Sequence, residues 1–358
     1  MSISIKKSYF NLLIFLFFFI VYHIDNTYSQ NCTQTLRNAQ RAYDEGRIAE
    51  IPNILNICLK KGFSRDEKIK AYRLLTLSYL YQYEGISAEK TMLEFLKVVP
   101  DYKLTPEDPA PFAKLYKQFR TWPIFLIGFK FGPNFAQPQA IKGFTAFENN
   151  FSKYSSALGF SFAINGEIFI NNKMSLNTGL NFLINRHKYS ISGLDSSFNK
   201  SYGTENELII AIPLALSYNI YSRGDFTFFA KAGAATNFLL GANIKITPVN
   251  NVKDVNNQPQ TVTPPQGIIN LNSQRNKLNF SVILGGGVKY KTGRNLIIFD
   301  VSYWAGINDV SKDPWDSYHN GANVTKYGYV SDSFRMNNMM FTLGFLVPIY
   351  KPKLLKKN

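Results

Sequence analysis

From Leu158 to Asn165 large apolar side chains alternate with small or polar ones. The alternation returns along 176–185, 208–219 and 278–290. It closes with Phe299 to Tyr303 and with Phe341, Leu343, Phe345 and Val347. A period of two belongs to β-strands. In a soluble sandwich one face is apolar and the other charged. Here the second face is mostly Gly, Ser, Ala, Asn and Thr, with scattered Lys130, Glu167, Lys231, Lys289 and Asp300. Bulky apolar residues on one face and small polar ones on the other are the pattern of a transmembrane β-barrel.

The pattern predicts eight strands, near 124–132, 156–170, 174–188, 207–221, 225–246, 277–291, 294–305 and 334–350. Connections alternate in length. Asn171-Asn172-Lys173, Ser222-Arg223-Gly224 and Thr292-Gly293 are short turns whose Asn and Gly supply backbone freedom. The connections 133–155, 189–206, 247–276 and 306–333 are long and polar. Short periplasmic turns alternating with long outer loops place both barrel ends in the periplasm. Aromatics near strand ends (Tyr218, Tyr221, Tyr290, Tyr303, Trp304 and Tyr350) suit interface girdles.

Before Trp122 the period is helical. Helices are expected over 33–45, 47–60, 64–84, 87–98 and 109–120, with Ser64 and Glu67 forming a capping-box pattern. Tyr72, Leu75, Tyr79, Ala88, Met92, Phe95 and Pro100 fall at the spacing of a tetratricopeptide unit, in which two antiparallel helices interlock. A generic helical hairpin pair predicts the same core. Both cysteines, Cys32 and Cys58, lie in this region. In an oxidising compartment they are expected to form a structural disulfide. The fold class is therefore an N-terminal helical, tetratricopeptide-like module followed by an eight-stranded antiparallel transmembrane β-barrel. Its parts are a signal peptide (1–29), a periplasmic helical domain (30–121), an outer-membrane barrel (122–350) and a basic periplasmic tail (351–358).

The leader follows from basic Lys6 and Lys7, the apolar run 12–22 and the small-residue site Thr27-Tyr28-Ser29. An 11-residue apolar run is too short to span a bilayer. Composition agrees with a strand-built membrane protein. The 358 residues are 45% hydrophobic and 15% aromatic, yet mean hydropathy is only −0.14. The net charge of +16 is spread along the chain, about +4 over 30–121, +7 over 122–350 and +4 on the tail. A nucleic-acid binder concentrates charge in one stripe, so no nucleic-acid partner is expected.

Ile127-Gly128-Phe129-Lys130-Phe131-Gly132 and Phe341-Thr342-Leu343-Gly344-Phe345 resemble strands of the PorT-like outer-membrane β-barrel family. The resemblance covers roughly 122–350 and rests on pattern and repeated glycine. The helical region, with Lys70 to Leu75 and the cysteine pair, is similar to N-terminal extensions found on some such barrels. The resemblance implies the outer membrane of a Gram-negative bacterium and a link to type IX secretion or related envelope functions.

No catalytic or metal-binding motif emerges, and no cofactor is expected. His187, Ser192 and Asp195 could sit together at an outer rim, but a solvated loop histidine is the simpler reading; His319 is the other histidine after the leader. The inner charges Lys130, Glu167, Lys231, Lys289 and Asp300 could line a pore. The interior of an eight-stranded barrel is filled by side chains, so a paired network is expected instead. Segment 247–276, with Pro248, Pro259, Pro264 and Pro265, reads as a mobile outer loop or plug. The expected function is non-enzymatic. The barrel, embedded in outer-membrane lipid, anchors a module that binds periplasmic or outer-membrane proteins, as part of a secretion or envelope-assembly complex. The alternative is a narrow pore or ligand-binding barrel gated by 247–276.

Overall fold

The computed structural model describes residues 26–60, 62–143, 152–195, 198–253, 259–262, 266–312, 327, 329 and 331–355. It divides into a helical unit, Met1–Trp122 with Tyr350–Asn358, and a strand unit, Pro123–Ile349. Residues 1–25 of the expected leader lie outside the described residues. No helix among the described residues is long and apolar enough to cross a membrane.

The helical unit contains α1 (Asn26–Asp44), a 3-10 turn (Ile48–Glu50), α2 (Ile51–Lys60), α3 (Arg65–Tyr81), α4 (Gly85–Val98) and α5 (Ala110–Tyr116). Ser64 caps α3, and its side chain and that of Glu67 satisfy each other's backbone N–H groups. The Thr33 hydroxyl and the Ser64 backbone, both donating to Glu67, hold its carboxyl below the usual carboxylate range. Two apolar layers share α3. Leu74 and Leu75 pack with Leu36 and Ala39 of α1 and Ile51 and Leu55 of α2. Tyr72 and Leu77 pack with Ala88, Met92 and Phe95 of α4 and Phe112 of α5. Burying a side chain such as Phe95 completely contributes about 1.5–3 kcal/mol. A disulfide joins Cys32 to Cys58.

The helix expected over 109–120 ends early. Residues 118–120 leave it to pair with the C-terminus: the Arg120 N–H donates to the Lys353 carbonyl at 2.9 Å, and the Leu355 N–H to the Gln118 carbonyl at 2.8 Å. The tail's lysine side chains at 351 and 353 are exposed, while its backbone is tied into the helical unit.

The strand unit is built from β1 (Phe125–Lys142), β2 (Lys153–Phe169), β3 (Met174–Asp195), β4 (Phe198–Arg223), β5 (Phe226–Lys253), β6 (Pro259–Val262), β7 (Gly267–Asn270), β8 (Leu278–Thr292), β9 (Asn295–Gly306) and β10 (Ser333–Ile349). The order is β4-β3-β2-β1-β10-β9-β8-β5, and β4 also pairs with β5. Each of these eight long strands therefore has two antiparallel neighbours.

Several strands outrun the sequence expectation. β1 continues ten residues beyond the expected end at 132, and β3 and β4 take up nearly all of the expected loop 189–206. Segment 247–276 is not a loose loop in its described parts. β5 runs on to Lys253, and β6 and β7 pair back onto it. Pro259 opens the short strand β6, where a missing N–H is tolerated.

The faces of the sheet are inverted relative to a soluble protein. Ile127, Phe129 and Phe131 of β1 and Phe160, Phe162 and Ile164 of β2 are 44–57% exposed, while the intervening Lys130, Ser161, Ala163 and Asn165 are buried. Glycines on the inner face let the strands coil tightly. A Cβ on Gly128 would lie 1.9 Å from the Phe345 carbonyl oxygen, and one on Gly287 2.0 Å from that of Phe299. Tyr218, Tyr221, Tyr290 and Tyr303 lie outward and are 40–54% exposed. Two expected girdle residues do not. Trp304 follows the parity of Asp300 and Ser302 and is buried at 3% exposure, and Tyr350 groups with the helical unit.

Candidate functional site

The inner face gathers charge in two clusters along the strands. The first lies toward the short turns. Lys231 of β5 donates to both carboxylate oxygens of Asp300 of β9, at 2.7 and 2.6 Å, and Lys130 of β1 reaches the same carboxylate at 3.2 Å. Beside it Lys289 of β8 donates to Glu167 of β2 at 2.5 Å, and the Ser175 hydroxyl donates to the same oxygen at 2.5 Å. The Lys289 ammonium also lies 5.0 Å from the centre of the Phe229 ring. All five inner charges named from alternation thus meet as two ion-paired groups. Leu126, Phe229, Ile298 and Leu346 form an apolar cluster on this same face.

The second cluster, toward the long connections, was not legible from alternation. Arg275, between β7 and β8, is 1% exposed. Its guanidinium grips Glu205 of β4 in a two-point fork, Nε to Oε1 at 2.9 Å and Nη2 to Oε2 at 2.8 Å. Its remaining donors reach the Ser331 hydroxyl at 2.7 Å and the Tyr329 hydroxyl at 3.0 Å, and it lies 5.0 Å from the Phe334 ring centre.

His187 is not the solvated loop residue expected from sequence. It lies within β3, fully buried, with Nε2 3.4 Å from the Glu205 carboxylate. β3 continues as an inward- and outward-facing strand through this position, which turns the imidazole inward beside Glu205. Ser192 and Asp195 lie on the same strand, but their side chains are outside the described residues. His319 is also outside them.

Between the clusters lies a polar layer around a small cavity of about 20 Å³, bordered by Asn185, Glu207, Asn237, Asn279, Ser281 and Asn338. Asn134 donates to Asn185 at 2.9 Å, and Asn237 to Ser281 at 2.8 Å. Glu207 is 2% exposed, and its carboxylate oxygens have no hydrogen-bond partner among the described residues. A polar cavity of this size has room for about one water. The inner face is thus laced by ion pairs and hydrogen bonds that join side chains of different strands and favour one register.

The helical unit carries its own recess, a groove of about 410 Å³ bordered by Asn56, Lys60, Tyr72, Tyr79, Lys90 and Glu94 of α2, α3 and α4. Tyr72 and Tyr79 belong to the expected tetratricopeptide-like core and also line this groove. Burial, aided by the charge of Glu94, pushes the Tyr72 phenol above its ordinary value. Leu75, Ala88, Met92 and Phe95 are buried, and Pro100 follows the end of α4 half-buried. Among the described residues, no group of three or more His, Cys, Asp or Glu is placed to hold a metal ion.

A family model described as outer membrane protein beta-barrel domain matches residues 118–312, more than half of the chain. No curated protein sequence matches. Solved structures with a similar arrangement include Neisserial surface protein A, at 12% identity and a TM-score of 0.31 over 63% of this chain and 97% of that one. OprG from Pseudomonas aeruginosa aligns at 9% identity and a TM-score of 0.35, covering 64% and 98%. Outer membrane protein W of E. coli aligns at 14% identity and a TM-score of 0.26, covering 62% and 98%. The assignment stands on the family match. The chain belongs to the outer membrane protein beta-barrel domain family and is an outer-membrane protein of a Gram-negative bacterium with an N-terminal helical extension.

Proposed function

We propose that β1–β5 and β8–β10 close into one eight-stranded barrel that anchors a periplasmic, tetratricopeptide-like module, and that this module holds a protein partner. The double pairing of every long strand supports closure. The first long strand begins at Phe125 and the last ends at Ile349, and these two residues are paired to each other. They lie at the end that also holds the short turns after β2, β5's start and β8's end. Short turns of such barrels face the periplasm, so the chain would enter and leave the barrel on that side. The observation that carries the binding role is the groove between α2, α3 and α4, rimmed by polar and basic side chains over an aromatic floor. Paired helices present surfaces of this kind to peptides. On the PorT-like resemblance, the partner belongs to a secretion or envelope-assembly complex.

A photo-crosslinking side chain at Asn56 or Lys90, on the groove, tests this in intact cells. A discrete adduct with a periplasmic or outer-membrane protein is expected, absent when the probe replaces exposed Gln40 of α1. Equal labelling at all three positions, or none, contradicts the reading. A pore gated by 247–276 is the weaker reading, because the inner face is filled by paired side chains.

A further inference from the structure

We propose that the outward face of β2–β5, near the long connections, is a binding site for the phosphates of an outer-leaflet lipid. Register brings the residues together. Ser155, Lys188, Thr204 and Lys245 are successive cross-strand partners from β2 to β5, and the next row outward is Lys153, Ser190, Tyr202 and Thr247. Together they line a depression of about 580 Å³, with Gln266 at its edge. Lys153, Lys188 and Lys245 are exposed, no carboxylate lines the depression, and none of the three ammonium groups is in an ion pair among the described residues. Ammonium groups interleaved with hydroxyls supply charged and neutral donors to phosphate oxygens.

What selects a lipid over a soluble anion is the surface directly below. Moving along the same outward face toward the short turns, the next side chains are Arg186 and then Ile184, Leu208, Leu158 and Phe160, which are 45–57% exposed. Four residues of strand separate Lys188 from Ile184, roughly 13 Å. A phosphate seated among the three lysines therefore has its acyl chains against this apolar surface. The described carboxylates on this stretch of β4, Glu205 and Glu207, are buried on the inner face and do not compete for these lysines.

Assignment to the outer leaflet rests on the orientation under Proposed function; the phosphate site does not. The test uses the full chain in mild detergent, with native mass spectrometry of added bis-phosphorylated lipid A and of the same lipid lacking its phosphates. The phosphorylated form is expected to bind about a hundredfold more tightly. A K153Q/K188Q/K245Q variant, with its folded electrophoretic mobility retained, is expected to lose that preference. Equal binding of the two lipids, or an unchanged preference in the variant, overturns the proposal. Displacement of the lipid by inorganic pyrophosphate at equal phosphate concentration overturns it in favour of a soluble-anion site. Separately, a Lys188→Cys side chain should react with an impermeant maleimide on intact cells. Reaction only after the outer membrane is broken would refute the orientation while leaving detergent binding as its own result.

Discussion

Glu205→Ala is expected to destabilise the strand unit by about 3–5 kcal/mol. Arg275 and Glu205 are each 1% exposed, and the fork between them is the guanidinium's only ion pair among the described residues. Truncating the carboxylate leaves a permanent positive charge buried against Phe334, and the guanidinium's remaining hydrogen bonds among the described residues go to the Ser331 and Tyr329 hydroxyls. The cost is the stranded charge rather than the net contribution of the pair. A Glu205→Leu, Arg275→Met double variant should therefore lie much closer to the parent, since replacing both partners by apolar side chains of similar size is often neutral. Urea unfolding in detergent, followed by the mobility difference between folded and unfolded forms, measures both. A Glu205→Ala shift below about 1 kcal/mol would mean that water reaches Arg275 despite its burial among the described residues.

The second large effect is in the helical unit. Cys32 and Cys58 close a loop with a sequence separation of 26, and constraining a loop of that size in the unfolded chain contributes about 3.5 kcal/mol. The apolar layer it ties, with Leu36, Ala39, Ile51 and Leu55, belongs to a unit small enough for this to be a large share of its stability. In the full chain with both cysteines replaced by serine, the helical signal at 222 nm should melt well before the strand signal. The parent should behave the same way once reduced. Coincident, unshifted helix melting in the variant would show that the apolar layers alone hold α1 in place.

The alternation that announced the strands is a membrane signal, and it was legible where lipid and inner face impose opposite demands. Phe160, Phe162 and Ile164 against Ser161, Ala163 and Asn165 is the clearest case. Beyond the apolar surface that contrast fades. Past Lys188 both faces turn polar, so positions 189–206 read as a connection, although Tyr189 pairs with Gly203, Ser190 with Tyr202 and Lys188 with Thr204. Parity could have found two of the missed residues, because Glu205 and Glu207 continue the inward series of Ile209, Ala211 and Ala215. It could also have corrected Trp304, which shares its parity with Asp300; an aromatic type near a strand end outweighed the period. Arg275 is different. It lies outside the regular strands, and only the pairing of β5 with both β7 and β8 brings it over Glu205. Nothing in its local sequence marks it. The inner lysines and acids of the first cluster were legible as inner-face residues, but which lysine meets which acid depends on strands far apart in the chain, such as β1 and β9.

In the lipid bilayer the alternating strands should turn their apolar residues toward lipid and their small and polar residues away from it. Spin labels placed one at a time along 158–165 of the protein in lipid vesicles test it most directly, through collision with oxygen, which concentrates in lipid, and with a water-soluble nickel chelate. Oxygen access should peak at positions 158, 160, 162 and 164 and fall at 159, 161, 163 and 165, with nickel access low at the first set. Nickel access peaking at 160 and 162, or no alternation, would place that face in water and rule out a lipid-facing apolar surface on β2.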